Sequence, residues 1–226
     1  VAKDRLKVKT DGADRIETPD GVRLDPAKGL AIIDVDEVLA LFVQGFDRFL
    51  RTRGYQWRMD SFALFANIYA GEAQRPVDAA VGRDLFDAFF ADGCGALEPA
   101  PGAAEGLARL SAAGQVVILT NAPETARALR GDWLKRHGMD YPMILSRGLK
   151  GGPVSALAAR VKGPVMFVDD LLPNLDSVAE AAPQVERFQM VADPRLRRLA
   201  PSAPDRHPLI EDWTDLARIG AALLAA

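Results

Sequence analysis

Three short apolar runs, each ending abruptly on polar residues, constrain this chain more than any other feature. Gly29-Leu30-Ala31-Ile32-Ile33 stops at Asp34, Gln115-Val116-Val117-Ile118-Leu119 at Thr120-Asn121, and Pro164-Val165-Met166-Phe167-Val168 at Asp169-Asp170. A strand with one wet face would alternate apolar and polar residues. These runs do not alternate, so they suit strands buried on both faces of a parallel sheet. Weaker runs at 141–145 and 185–188 extend the series.

Helical patterns lie between the runs. The stretch 102–113 carries Leu107 and Leu110 on one face and ends at Gly114, a natural helix stop. The stretch 123–137 opens on Pro123, which suits a first helical turn. Shorter helices are expected over 153–161 and 174–182. The stretch 211–224 places Trp213, Leu216, Ile219 and Leu223 at helical spacing. Alternating strands and helices predict an α/β fold, a Rossmann-like open parallel sheet covered on both faces. Ahead of it, Thr18-Pro19-Asp20-Gly21 marks a turn, and 14–29 reads as a small hairpin or irregular arm.

One segment breaks the alternation. Leu39, Phe42, Val43, Phe46, Phe49 and Leu50 recur at helical spacing, and further helices are expected over 59–70 and 77–90. No strand is expected between residues 39 and 97. An all-helical insertion of roughly 55 residues is too long for an ordinary strand-to-helix loop. The expected organisation is a core built from 1–38 and 98–226 with a helical cap over 39–97. The phenylalanines of the insertion read mostly as its core, and Arg51, Arg53 and Arg58 with Tyr55 and Trp57 as a solvated helix end, with a grip on a substrate or partner as the alternative.

Composition narrows the chemistry. The 226 residues include one Cys and two His, which excludes an internal disulfide and a zinc site built on several thiolates. Cys94 reads as a bystander, and His137 as a partner of its helix dipole. A net charge of −3 supplies no field toward nucleic acid or anionic lipid. No apolar run approaches the ~18–20 residues that span a bilayer. The charged start, Val1-Ala2-Lys3-Asp4-Arg5, lacks the apolar segment of a secretory signal, so a cytoplasmic protein is expected. Arg outnumbers Lys 21 to 7, as in GC-rich bacterial genomes.

Chemistry therefore falls to the acids. Open parallel sheets bind ligands beyond the carboxyl ends of their strands. Asp34, Asp36, Thr120, Asn121, Asp169 and Asp170 should converge there, with Lys150 from the loop Gly148-Leu149-Lys150-Gly151-Gly152. Four carboxylates repel unless a cation sits among them, and oxygen-only donors favour Mg²⁺ completed by a substrate phosphate. Lys150 suits a phosphate, as do the Thr120 hydroxyl and the Asn121 amide. Asp34 is placed to attack phosphorus, and Asp36 to protonate the leaving oxygen and later deprotonate water. The bland alternatives are a charge pair at a helix start for Asp34 and Asp36, a helix cap for Thr120-Asn121, and a surface lysine for Lys150. Asp176 reads as a helix-surface residue.

Asp34-Val35-Asp36-Glu37-Val38-Leu39, Leu119-Thr120-Asn121, Lys150 and Val168-Asp169-Asp170 resemble, in order, the four motifs of the haloacid dehalogenase superfamily of phosphatases. The resemblance spans nearly the whole chain, with a helical cap inserted just after the first motif. It implies Asp34 as nucleophile and metal ligand, and Asp36 as acid/base with its backbone carbonyl on Mg²⁺. It implies Thr120 and Lys150 as phosphate binders and Asn121 as a secondary one. It implies Asp170 as the direct metal ligand, with Asp169 acting through water or orienting Lys150. The superfamily usually has Gly after the second Asp; here the residue is Glu37. Dehalogenases proper generally lack that second Asp, so Asp36 favours phosphate esters over carbon–halogen bonds. The run Asp-x-Asp-x-Val-Leu-x-x-Phe, ending at Phe42, resembles the deoxyribonucleotidase branch, whose aromatic there lines the substrate pocket.

The expected function is Mg²⁺-dependent hydrolysis of a small phosphorylated metabolite, a nucleotide or sugar phosphate. The alternatives are a phosphoryl transferase or mutase, a phospho-Asp signalling domain and a non-catalytic binding protein on the same fold. Signalling receivers are shorter, lack the insertion and order these residues differently.

Overall fold

The apolar runs form strands, and the strands form one parallel sheet. The computed structural model describes residues 18–73 and 75–226. In chain order the elements begin with β1 (Leu30–Ile33), α1 (Phe42–Arg51), β2 (Tyr55–Trp57), β3 (Ile68–Ala70) and α2 (Ala79–Ala88). There follow α3 (Ala103–Ala113), β4 (Gln115–Asn121), α4 (Arg127–Arg136), β5 (Met143–Ser146), α5 (Gly151–Ala158) and β6 (Val165–Asp169). The chain ends with α6 (Leu172–Ala181), β7 (Glu186–Met190), α7 (Pro194–Arg197), β8 (Leu209–Ile210) and α8 (Trp213–Leu224). The six-stranded sheet has the order β5-β4-β1-β6-β7-β8, all parallel.

Register explains the unbroken apolar runs. Ile33 pairs with Ile118 on one side and Val168 on the other, and Ile32 with Val117 and Phe167. Ile33, Ile118 and Val168 pack under α3 and α8 through Leu107, Leu110, Trp213 and Leu216. Ile32, Val117 and Phe167 point the other way, onto Val154 and Leu157 of α5 and Leu175 and Val178 of α6. Both faces of β1 are buried, so both parities must be apolar. Each fully buried Leu or Ile contributes roughly 1.5–3 kcal/mol.

The chain leaves β1 toward β4 and β5, then returns to β6 on the opposite side of β1. That reversal opens a crevice at the carboxyl end of β1. The short two-residue β8 at the sheet edge had no readable apolar run. Of the expected N-terminal arm, 14–17 lies outside the described residues. Residues 18–29 hold a 3₁₀ turn over Pro19–Gly21 and no strand. Among the described residues no helix is long and apolar enough to cross a membrane.

The insertion is not all helical. No α-helix forms over 59–70; the segment makes one 3₁₀ turn over Phe65–Asn67 and closes a hairpin in which β2 and β3 pair antiparallel, Trp57 opposite Ile68. Polar side chains divert the backbone here. Asn67 donates from Nδ2 to the Ser61 carbonyl at 2.7 Å and accepts from Ser61 Oγ at 3.2 Å, while its own carbonyl accepts Arg58 N–H at 2.8 Å. Such local bonds compete directly with a helix ladder. The third expected helix forms as α2, running into a π turn over Phe89–Gly93. Its phenylalanines pack edge-on against α1, with Phe46 and Phe89 centroids 5.3 Å apart.

Candidate active site

Asp34 continues the β1 ladder by donating its N–H to Val168 O at 3.0 Å. The chain then coils tightly: the N–H groups of Val38, Leu39 and Ala40 all converge on Val35 O. Asp34 and Asp36 consequently face one cavity of about 230 Å³ between the sheet end and the insertion. Lys150, Asn121, Asp170 and Phe42 line the same cavity. Thr120 and Asp169 are fully buried. Asp34, Asp169 and Asp170 each present an oxygen within 4.8 Å of the others.

One ammonium serves this cluster. Lys150 Nζ lies 2.7 Å from Asp34 Oδ1 and 2.7 Å from Asp169 Oδ2. The backbone delivers it. Gly148 turns the loop at φ +77°, and Gly151 packs so closely on α6 that a Cβ would sit 2.3 Å from Ser177 O. Burial alone would lower the Lys150 pKa, but the carboxylates of Asp169 and Asp34 outweigh it and raise it. Three buried acids remain underneutralised by one lysine, and the deficit falls on the other partners. Burial pushes Asp34 up to about 7 against the pull of Lys150. Burial, then Asp169 and Asp34, drive Asp170 well above the carboxylate range. A hard divalent cation held by oxygens fits this residual negative charge.

The two acids after β6 have different duties. Asp169 Oδ1 accepts Leu171 N–H at 3.0 Å and Asn174 Nδ2 at 2.9 Å, and its other oxygen holds Lys150. The Asp170 carboxylate receives no hydrogen bond from any described residue. Thr120 Oγ1 and Asn121 Oδ1 are buried without a partner, although Asn121 Nδ2 donates to Gly148 O at 2.9 Å. Unpaired buried polar atoms are costly, so a ligand is expected to satisfy them.

Sequence reasoning missed Arg130. It is fully buried on α4, with Nη2 2.8 Å from Asp36 Oδ1 and 3.1 Å from Oδ2. Burial raises the Asp36 pKa, and the guanidinium opposes the rise. The signal was present: Arg130 shares a helix face with Ala126, Trp133 and Leu134, all buried. An arginine on an apolar face needs a buried acid.

No protein-family model matches the sequence, and no curated protein does. Solved structures do. A HAD family hydrolase from Deinococcus radiodurans R1 superposes at a TM-score of 0.56, with 17% identity, over 88% of this chain and 99% of that one. The chain has the haloacid dehalogenase fold. A haloacid dehalogenase-like hydrolase from Streptococcus pneumoniae matches at 0.56 with 10% identity, covering 86% and 98%. A family IA hydrolase from Entamoeba histolytica matches at 0.54 with 11% identity, covering 88% and 100%. Identities this low establish the fold, and chemistry must be argued from the site.

Within the haloacid dehalogenase fold, the position after Asp36 explains its usual glycine. Glu37 has φ +57°, in the left-handed region that side chains other than glycine's enter at a cost of about 1–2 kcal/mol. Its carboxylate offsets the strain by accepting Val43 N–H at 2.8 Å and Asp193 N–H at 3.2 Å. The first bond holds the first turn of α1 and the second reaches the segment after β7, so Glu37 ties α1 to that segment. Burial raises its pKa to about 7 despite those two donors. Phe62 and Phe86, expected only as core of the 39–97 segment, line the cavity, whereas Cys94, Asp176, Arg51 and Arg58 stay outside it. Cys94 is buried with Sγ on Phe90 O, Asp176 pairs with Arg206 and His207, Arg51 pairs with Asp47 and Arg58 lies over Tyr69.

Proposed function

We propose that this protein is a Mg²⁺-dependent phosphatase acting on a small phosphomonoester through an aspartyl-phosphate on Asp34. The observation that carries the reading is a pair of acids two residues apart in different settings. Asp34 shares the Lys150 ammonium with Asp169, while Asp36 is held separately by Arg130. Two carboxyls with distinct partners suit the two roles of nucleophile and proton donor. The phosphate bound in the Deinococcus structure is consistent with this reading.

Asp34 attacks phosphorus with one carboxylate oxygen; the P–O bond to the leaving group breaks, and Asp36 donates its proton to that oxygen. Asp36, now ionised, takes a proton from water as the water oxygen bonds to phosphorus. The acyl phosphate opens, phosphate leaves and Asp34 is restored. Lys150, Thr120 and Asn121 hold the phosphoryl oxygens. Asp34, Asp170 and the Asp36 carbonyl would hold Mg²⁺, and Asp169 orients Lys150. When bound, Mg²⁺ supplies charge neutralisation at the phosphoryl oxygens. We read residues 39–97 as a cap over a core of 1–38 and 98–226, keeping bulk water from the reacting centre.

A panel of phosphomonoesters assayed with Mg²⁺, and again with EDTA, tests the proposal. Phosphate release that EDTA abolishes and Mg²⁺ restores is expected. A panel without turnover, or turnover indifferent to EDTA, rejects it.

Arg130 orients Asp36 and does not touch the substrate. Arg130→Met is expected to slow alkyl phosphates by about 100-fold or more, the usual worth of a positioned general acid. A nitrophenyl ester, whose leaving oxygen needs no proton, should lose far less. Equal losses on both would reduce Arg130 to a structural role.

A further inference from the structure

The cavity above the acids is walled by rings and aliphatic chains. Phe42, Trp57, Phe62 and Phe86 line it from the insertion, and Leu171 and Leu196 from the core. Phe42 is buried, and its ring lies 6.1 Å from that of Phe86. Leu171 stands 40% exposed at the rim, a large apolar side chain left in water.

Several polar groups near these walls are already engaged. Trp57 Nε1 donates to Leu64 O at 3.0 Å. Asn174 Nδ2 donates to Asp169, and Asn121 Nδ2 to Gly148 O. Each Glu37 oxygen accepts a backbone N–H. Asn121 Oδ1, at the end of β4, is unpartnered and can accept one hydrogen bond from a ligand. A sugar placed over Asp34 would bring several hydroxyls against Phe, Trp and Leu side chains, which offer them no acceptor, with few free polar groups beside them. Hydroxyls stripped of water and left unpaired weaken binding.

We infer that the leaving group of the substrate is a compact, apolar, aromatic-sized or branched alcohol, and that sugar phosphates and nucleotides are poor substrates. The inference rests on the phosphatase reading and narrows its substrate class away from the nucleotide or sugar phosphate that the sequence suggested. The cavity, about 230 Å³, must also hold the phosphoryl group, so the alcohol is small. Rigid aromatic walls favour it through buried apolar area.

The test compares primary alkyl esters, so that intrinsic reactivity is matched. Benzyl phosphate and isopentyl phosphate are set against a pentose phosphate, a hexose phosphate and a pyrimidine nucleoside monophosphate, with Mg²⁺ and the intact protein. The apolar pair should show kcat/KM at least about 30-fold above the polar three. A polar ester turned over as well as the better apolar one overturns the inference and leaves the phosphatase reading standing. Binding is measured alongside, by tryptophan fluorescence with benzylphosphonate and with inorganic phosphate. If no ester is hydrolysed but benzylphosphonate binds at least about 30-fold tighter than phosphate, the apolar site stands and the phosphatase reading falls. If the two bind alike, the apolar site falls as well.

Discussion

Asp34→Asn should release no measurable phosphate, a loss on the order of 10⁴-fold or more, because removing a nucleophile removes the covalent route. The fold should not suffer. Asn keeps the shape of Asp and removes one of three acids clustered around a single lysine. Burial already pushes the Asp34 carboxyl to about 7, which means its ionised form is held at a cost in free energy. Removing that charge should leave thermal stability in the absence of metal unchanged or higher, and weaken Mg²⁺ binding. Activity assays and melting curves on the same preparation read both effects. A stable variant that still turns over substrate would remove Asp34 from the chemistry. An unfolded variant would show that the charge is structural.

Lys150→Met should act on stability and activity together. The Nζ group is buried within 2.7 Å of both Asp34 and Asp169. Methionine fills a similar volume but leaves the acids facing each other without a cation. Breaking a buried pair by removing one partner costs about 3–5 kcal/mol, since the remaining charge is uncompensated. Urea denaturation without metal should show a loss of that order. Saturating Mg²⁺ binds the folded state and should recover part of the stability. Turnover should not recover, because the phosphate loses a fixed positive charge. A variant as stable as the parent without metal would mean that the cluster is neutralised by protons rather than by Lys150.

The sheet was legible because β1, β4 and β6 are buried on both faces, so their sequences are unbroken apolar runs that end where the ligand crevice opens. The same geometry made Asp34, Thr120 and Asp169 visible, since each is the first polar residue after its run. Lys150 was found by spacing, and two glycines turn out to hold it in place. The hairpin was not legible. Phe62, Phe65, Ile68 and Tyr69 recur at helix-like spacing, and the Ser61–Asn67 bonds and the pairing of β2 with β3 redirect them. Arg130 was masked by the other basic residues of α4. The role of Glu37 depends on a positive φ and on Asp193, 156 positions away, neither of which a local pattern can carry.

Phosphorus is expected to pass through Asp34. Acid-quenching the parent protein during turnover of a good substrate with Mg²⁺, then digesting it and analysing the peptides by mass, tests this directly. One added phosphoryl group is expected on the peptide containing Asp34, labile to hydroxylamine and absent from Asp34→Asn. Rapid turnover with no labelled peptide, or with the label on another residue, would contradict it.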